Sequence, residues 1–425
     1  MVTPPSQQTR SSSLSLWLPP FPLSLAQELL STYGSPLYVY QSDRLRQTIH
    51  QITRAIPYPH TQFQFATVTN GNLALLRIFR EAGWGLHANT PGDAYLGLHA
   101  GFHPNQIVYS GSNLSRSDME QLLHWNITTF NLDSLSQLQL FCEAYEEMRG
   151  KKEEERQESK VRSREAEGRG RNGEWIVGNR QVKTQNSKLI HSSTPPPLHP
   201  TPSLGLRLND PTLTGDSRIG VRPEEFSEAI AIAHQAGLKL TGLHFYRGTG
   251  TNATKAFTQV IERVLAIAQT LPDWEYLDFG GGFGYPYHRG GVAFNWEEFG
   301  AELSNYLNRL KRPIRLVIEP GRAAIAGCAV LLTQVVSVKW QNEKQIVGTD
   351  TTVANLSVPS VHGGYREIVT WQEAEASNPD SLFPTDVSGN TTYSLAIIWA
   401  KTASYLRCRW EISLPFWMWV PMGTQ

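Results

Sequence analysis

The feature that most constrains this chain is a rhythm. Between Gln62 and Arg322, short β-type runs alternate with amphipathic helical stretches. The runs are Gln62–Thr69, Gly83–Thr90, Gln106–Gly111, Thr128–Ser134, Leu204–Asn209, Leu238–Tyr246, Tyr276–Phe283 and Ile314–Arg322. Each is rich in apolar or β-branched residues and ends at or near Gly, Asn, Ser or a charged residue. Helical patterns such as Asn72–Glu81, Pro223–Gln235, Ala253–Leu271 and Trp296–Leu310 separate them. Strands that alternate with helices run parallel, and eight such units close the common (β/α)8 TIM barrel. The rhythm predicts that strands two to eight end near Asn89, Gly111, Asp133, Asn209, Tyr246, Gly280 and Glu319 on one face, with Val68 at the end of the first. The rival is an open doubly wound sheet. It would normally carry a Gly-rich turn after its first strand, where this chain reads Thr69-Asn70-Gly71-Asn72.

The rhythm breaks once and then stops. Lys151–Thr201 opens with a run of Lys, Glu and Arg and closes on a Pro-rich stretch. It has too little apolar surface to offset its ordering entropy and is read as a disordered insertion. Its place between the fourth helix and the fifth strand puts it on the barrel's N-terminal side, away from any chemistry. After Arg322 the pattern changes to strands without long helices, Ala329–Lys339 and Lys344–Asp350, to which Pro36–Tyr40 can add another. The expected organisation is a partly disordered leader, 1–35; a barrel, 36–328, interrupted by 151–201; and a C-terminal β-rich domain, 329–425.

Composition narrows the function classes. Lys plus Arg equals Asp plus Glu at 38 each, so no global charge points to nucleic acid. Cys142, Cys328 and Cys408 have no paired spacing, which suits a reducing, cytoplasmic setting and argues against a disulfide framework or a zinc site. No apolar run is long enough to cross a membrane. Pro19, Pro20 and Pro22 break the apolar stretch near the N-terminus, so a secretory signal is not expected. The Ser-rich leader reads as disordered, although its lack of acids also fits an organelle-transit segment.

Chemistry in such barrels sits at the C-terminal ends of the strands, with phosphate sites favoured after strands seven and eight. Strand seven runs into Asp278-Phe279-Gly280-Gly281-Gly282-Phe283-Gly284, and consecutive glycines let backbone N–H groups form an anion-binding nest. Strand eight ends Glu319-Pro320-Gly321-Arg322, bringing a guanidinium beside that nest. A plain tight turn explains the glycines alone; paired with Arg322 they point to phosphate. Glu319 can be a structural carboxylate or can face a cofactor nitrogen.

These stretches, with Pro36–Tyr40, Phe65-Ala66 through Asn70-Gly71-Asn72-Leu73-Ala74, Asn131–Ser134 and Gly242–Phe245, occur in the order found in a known family. Val358–Ser360 and Gly364–Ile368 match more loosely. The chain resembles the diaminopimelate, ornithine and arginine decarboxylases, which build a pyridoxal 5'-phosphate site on an alanine-racemase-like barrel. The resemblance implies that Gly280, Gly281, Gly282 and Arg322 serve the phosphate and that Gly321 and Thr249 also bind the cofactor. It implies that Glu319 pairs with the pyridine nitrogen and makes the ring an electron sink, and that Asn70 is the asparagine following the catalytic lysine. It further implies an amino-acid substrate and a homodimer whose C-terminal region completes the neighbouring site.

The chain departs from that pattern at the reacting group. The family reads Tyr-Ala-Val-Lys-Ala-Asn where this chain reads Phe65-Ala66-Thr67-Val68-Thr69-Asn70, so Val68 stands at the Schiff-base lysine position. Valine has no amine to hold an aldehyde or move a proton. His87 stands at a family aspartate, and Tyr246 replaces the histidine that stacks on the ring, a role a tyrosine can still fill. Lys255, the nearest lysine in sequence to a strand end, lies in a helical pattern and reads as a surface residue. Three readings follow: a decarboxylase acting on a basic or diamino acid, a non-catalytic protein that binds pyridoxal phosphate without a covalent bond, and a partner-binding protein on a relic scaffold.

The tail carries one more expectation. From about Leu395 it crowds Trp399, Trp410, Trp417 and Trp419 without clean alternation. Trp and Met have single codons, so a one-register shift forces Trp417–Met418 to Asp, Met418–Trp419 to Val, Trp419–Val420 to Gly and Met422–Gly423 to Gly. The same shift permits Ala-Tyr between the two glycines. The result, Asp-Val-Gly-Ala-Tyr-Gly, is the family's phosphate-contacting motif. The tail from about 395 therefore reads as frameshifted and is expected to be poorly folded beyond Ser394.

Overall fold

The structure, a computed structural model, describes residues 21–169, 201–215, 217–248, 250–287, 291–357, 368–370, 382–390, 398–406 and 415–418. Strand β1, Leu37–Tyr40, precedes the barrel. Eight parallel strands then close on themselves: β2 Thr61–Ala66, β3 Gly85–Ala88, β4 Ile107–Tyr109, β5 Thr129–Leu132, β6 Ser203–Arg207, β7 Leu240–His244, β8 Tyr276–Asp278 and β9 Arg315–Ile318. The ring is sealed by the β2–β9 ladder, where Phe63 pairs with Ile318. β3, β4 and β5 are buried at every residue. That is why their sequences run apolar instead of alternating: a barrel strand faces packed side chains inside and helices outside.

Local signals set the helices. Asn72 caps the helix Leu73–Glu81 by accepting from the Ala74 N–H at 2.9 Å. Thr90 and Asp93 form a reciprocal capping box at Pro91–His99, with proline in the first turn. Each such cap stabilises by about 1 kcal/mol. The Phe79 ring stacks on Phe65 at 3.8 Å and so ties the first helix to β2. Below the glycine-rich loop, Phe283 stacks on Phe257 at 4.7 Å and meets Phe294, Trp296 and Phe299 edge-on or tilted. This aromatic platform holds the loop after β8 in place.

The second domain is a separate sheet: β10 Ala329–Gln341, β11 Lys344–Thr349, β12 Ile368–Thr370, β13 Leu382–Ser388, β14 Ile398–Leu406 and β15 Pro415–Met418. β1 joins it antiparallel to β10, as the Pro36–Tyr40 pattern predicts. The helix Leu23–Tyr33, inside the leader, buries Ala26 and Leu30 against Val330 and Leu332 of β10. Among the described residues, no helix is long and apolar enough to cross a membrane. Cys142 and Cys328 are free and buried.

Three expectations need correction. The barrel strands stop short of their predicted ends: β2 ends at Ala66 and Thr67–Thr69 is a 3-10 turn. The residues beyond each last ladder bond keep a strand-like composition because they line the barrel mouth. The insertion is not disordered from Lys151, since the helix Leu135–Arg169 continues into it. Lys, Glu and Arg are good helix formers, and Glu147 pairs with Lys151 at 2.7 Å across one turn. Residues 170–200 lie outside the described part. Finally, strand order does not end at Ser394: β14 pairs with β13, and β15 pairs with both β10 and β12. Their backbones complete ladders that β10 and β13 would otherwise leave open.

Candidate active site

The C-terminal ends of the strands surround a cavity of about 320 Å3. It is lined by Ala66 at the end of β2 and Val68 and Thr69 after it, by His87 and Asn89 at β3, and by Arg207, His244 and Tyr246 from β6 and β7. Gly250, Gly281, Gly282, Phe283, Glu319, Gly321 and Arg322 complete it. The chain thus brings Gly281, Gly282 and Arg322 onto one wall, as neighbouring strands β8 and β9 require. Gly282 has φ +93°, and a Cβ there would collide with the Gly248 carbonyl, while one at Gly281 would collide with the Glu319 carbonyl. At Gly250, φ +77°, a Cβ would strike the Arg322 guanidinium. Only glycine lets these backbone segments approach each other and an anion so closely.

Two predicted site residues act from behind the wall. Gly280, φ +69°, makes the turn: its N–H donates to Asp278 Oδ1 at 3.0 Å and its carbonyl accepts from the Glu319 N–H at 2.9 Å. Asn70 donates from Nδ2 to the Tyr40 hydroxyl at 2.9 Å, and its Oδ1 accepts from the Asn72 N–H at 2.9 Å, fixing the turn that carries Val68. Thr249 lies outside the described residues. Val68 is 49% exposed and lines the cavity. Lys255 sits exposed on the helix Thr254–Thr258 and does not reach it. None of the described lining residues is a lysine.

The cavity floor is buried and ionisable. His87 Nε2 lies 3.3 Å from Glu319 Oε1, and His244 Nε2 lies 3.5 Å from Glu319 Oε2. Neither contact has hydrogen-bond geometry, so both imidazoles and Glu319 Oε1 are buried without a hydrogen-bond partner. Beneath them, Asp278 accepts from Asn131 Nδ2 at 2.9 Å, and Asn131 in turn accepts from the Tyr276 hydroxyl at 2.9 Å. Burial pushes the Glu319 carboxyl up to about 7, against the pull of Asp278 and Arg207. Burial and the adjacent Glu319 charge push Asp278 well above the carboxylate range. Burial lowers His244 to about 4, and burial with the His244 and Arg207 charges holds His87 well below its ordinary value. Both imidazoles are held toward their uncharged form, and burial with mutual repulsion disfavours simultaneous ionisation of the two carboxyl groups.

Arg207 and His244 were not singled out from the sequence. Arg207 is half-buried, desolvation lowers its pKa, and it lies 5.2 Å from the Tyr246 ring centroid. Its signal was its position at a strand end. His244 lay inside the quoted Gly242–Phe245 stretch with no role attached.

The residues present fit pyridoxal phosphate. Glu319 Oε1 is an orphaned buried acceptor for a protonated ring nitrogen, the glycine cradle with Arg322 suits a phosphate, and Tyr246 offers an aromatic face. Known proteins agree. The pattern described as pyridoxal-dependent decarboxylase, pyridoxal binding domain, matches residues 42–165 and 203–326. The chain is 28% identical over 384 residues to diaminopimelate decarboxylase of Methanothermobacter thermautotrophicus, covering 87% of this chain and 78% of that one. It is 26% identical over 377 residues to the Vibrio cholerae enzyme of the same name, covering 87% and 79%. In fold it is similar to Helicobacter pylori diaminopimelate decarboxylase complexed with L-lysine, with TM-score 0.72, 21% identity and 94% and 89% of the two chains covered. It is also similar to Vibrio vulnificus lysine/ornithine decarboxylase complexed with cadaverine, with TM-score 0.72, 17% identity and 95% and 90% covered. Because the matched pattern spans both halves of the barrel that carries this cavity, the chain belongs to the pyridoxal-phosphate-dependent ornithine, diaminopimelate and arginine decarboxylase family.

Proposed function

We propose that this chain binds pyridoxal phosphate non-covalently in the barrel mouth and is impaired in the family's decarboxylation. The observation that carries this reading is Val68, on the cavity wall where the family's lysine stands, with no lysine among the described lining residues. Gly281, Gly282, Gly250 and Arg322 hold the phosphate end, and Thr249 is assigned to cofactor binding by resemblance. Glu319 receives the ring nitrogen, Tyr246 covers a ring face, and His87 and Gly321 complete the wall. When bound, the cofactor supplies an aldehyde that condenses with amines and a ring that accepts an electron pair. The chain's own residues bind and orient it and exclude water, but none at position 68 can move a proton. Equilibrium dialysis against pyridoxal phosphate tests the reading. It predicts saturable binding that Arg322→Ala weakens, together with no release of carbon dioxide from diaminopimelate, ornithine, lysine or arginine. Turnover above the free cofactor's own rate favours the rival, an active carboxy-lyase on a basic or diamino acid, which the similarity to diaminopimelate decarboxylases over 87% of the chain supports.

Two further parts of the reading rest on family resemblance. The protein is a cytoplasmic homodimer, checked by light scattering for its oligomeric state and by fractionation for its location. The tail from about 395 is a frameshifted form of the family's C-terminus, which removes its phosphate-contacting tyrosine. Sequencing the gene around the Ser394 codon checks this, and a stop codon in the shifted frame before its Asp-Val-Gly refutes it.

A further inference from the structure

The cavity floor holds more ligating chemistry than a single ring nitrogen uses. His244, Asp278 and Glu319 offer ligand atoms that all lie within 4.8 Å of one another, and all three side chains are buried. His87 lies outside that trio but beside it, with Nε2 3.3 Å from Glu319 Oε1, while His244 Nε2 is 3.5 Å from Glu319 Oε2. An ion with tetrahedral bonds of about 2.1 Å sets its ligand atoms about 3.4 Å apart, so each imidazole stands at that distance from one of the two Glu319 oxygens. Both ring nitrogens of His87 and of His244, and Glu319 Oε1, have no hydrogen-bond partner. Buried polar atoms in that condition cost stability unless something satisfies them. Asp278 is oriented from outside the cluster by Asn131 Nδ2 and the Gly280 N–H, the kind of outer support that fixes ligand carboxylates.

We propose that the floor formed by His87, His244, Asp278 and Glu319 is a binding site for a divalent transition-metal ion of the zinc class. Two imidazoles with carboxylate oxygens select such ions over magnesium or calcium, which prefer oxygen alone. His87, His244 and Glu319 line the cavity, leaving the ion an open position toward the mouth. Because the ion takes Glu319, it excludes pyridoxal phosphate, and each ligand weakens the apparent binding of the other. His87 gives this chain a second imidazole beside the trio, where an acid would leave one.

The test uses the full chain without added pyridoxal phosphate, loaded with Co2+ and dialysed. Metal analysis and the visible ligand-field spectrum are the readouts. The expected result is about one ion per chain with a nitrogen–oxygen ligand spectrum. His87→Phe and His244→Phe should each weaken binding at least tenfold, while Arg322→Ala, at the phosphate end, leaves it unchanged. No bound Co2+ in the wild type, or equal binding in wild type and His87→Phe, overturns the proposal. A parallel titration with pyridoxal phosphate separates the two readings. Cofactor binding without metal sinks only this inference, and metal binding without cofactor sinks only the proposed function.

Discussion

The two ends of the cavity differ. At the phosphate end, Gly281, Gly282, Gly250 and Arg322 pack so closely that side chains at the glycines collide with neighbouring backbone or with the guanidinium. At the reacting end, Val68 is half-exposed on a short turn, and His87 and His244 approach Glu319 without hydrogen bonding to it. The geometry of the first end admits few substitutions, as the proposed phosphate site requires. The second has no lysine at position 68. The comparison separates holding a cofactor from using it: fold and anion binding depend on backbone approach, whereas chemistry depends on one amine that a point change can remove.

The largest expected effect comes from Gly282→Val. It places a branched side chain at φ +93° against the Gly248 carbonyl, which strains the loop as well as filling the anion site. Binding of pyridoxal phosphate should fall below detection by equilibrium dialysis. Arg322→Ala comes next. Loss of a charged hydrogen-bond donor to phosphate costs about 1.5–3 kcal/mol, so the dissociation constant should rise roughly 10- to 100-fold. Equal affinity in Arg322→Ala and wild type would erase the distinction between the two ends.

A third prediction concerns the floor. Glu319 has its folded-state pKa raised from 4.5 to about 7, so its protonation favours the fold, and that contribution is lost as pH rises from about 4.5 through about 7. His244 is lowered from 6.5 to about 4, so its contribution is present above about 6.5 and is lost as pH falls through about 4. The two slopes oppose each other where the windows overlap. Glu319→Gln removes the falling slope. Its melting temperature should therefore rise more steeply between pH 4.5 and 6.5 than that of the wild type, as read by thermal denaturation across pH. Parallel curves for the two proteins contradict the assignment. The smallest effect is expected from Val68→Ala, which exchanges one amine-free side chain for another. Pyridoxal phosphate affinity should change by less than about twofold, the scale of losing an apolar contact at a half-exposed site.

Much of this was legible in the sequence, and the reasons are local. The eightfold alternation appears because parallel strands buried on both faces must be apolar and must be separated by covering helices. Gly281, Gly282 and Arg322 were readable because neighbouring strand ends bring them together whatever the details. Strand ends were overshot because Thr67, Thr69 and Phe283 are buried and strand-like in composition yet lie in a 3-10 turn or an isolated bridge outside the barrel ladders. Arg207 was missed because a lone arginine at a strand end carries no local pattern, and its cavity-facing role appears only once β6, β7 and β9 converge. The continuation of the helix through 151–169 was missed because charge content argued for disorder while helix propensity argued for helix, and propensity prevailed where the helix was already nucleated by Leu138, Phe141 and Tyr145 in the core.

The central claim is that position 68 separates binding from covalent chemistry, and borohydride reduction of the pyridoxal phosphate complex followed by peptide mass spectrometry tests it most directly. The wild type should carry no pyridoxyl group in the barrel mouth, and Val68→Lys, whose side chain would project from the same cavity wall, should carry one per chain at residue 68. A stoichiometric pyridoxyl-lysine in the wild-type protein contradicts the account and restores the active decarboxylase.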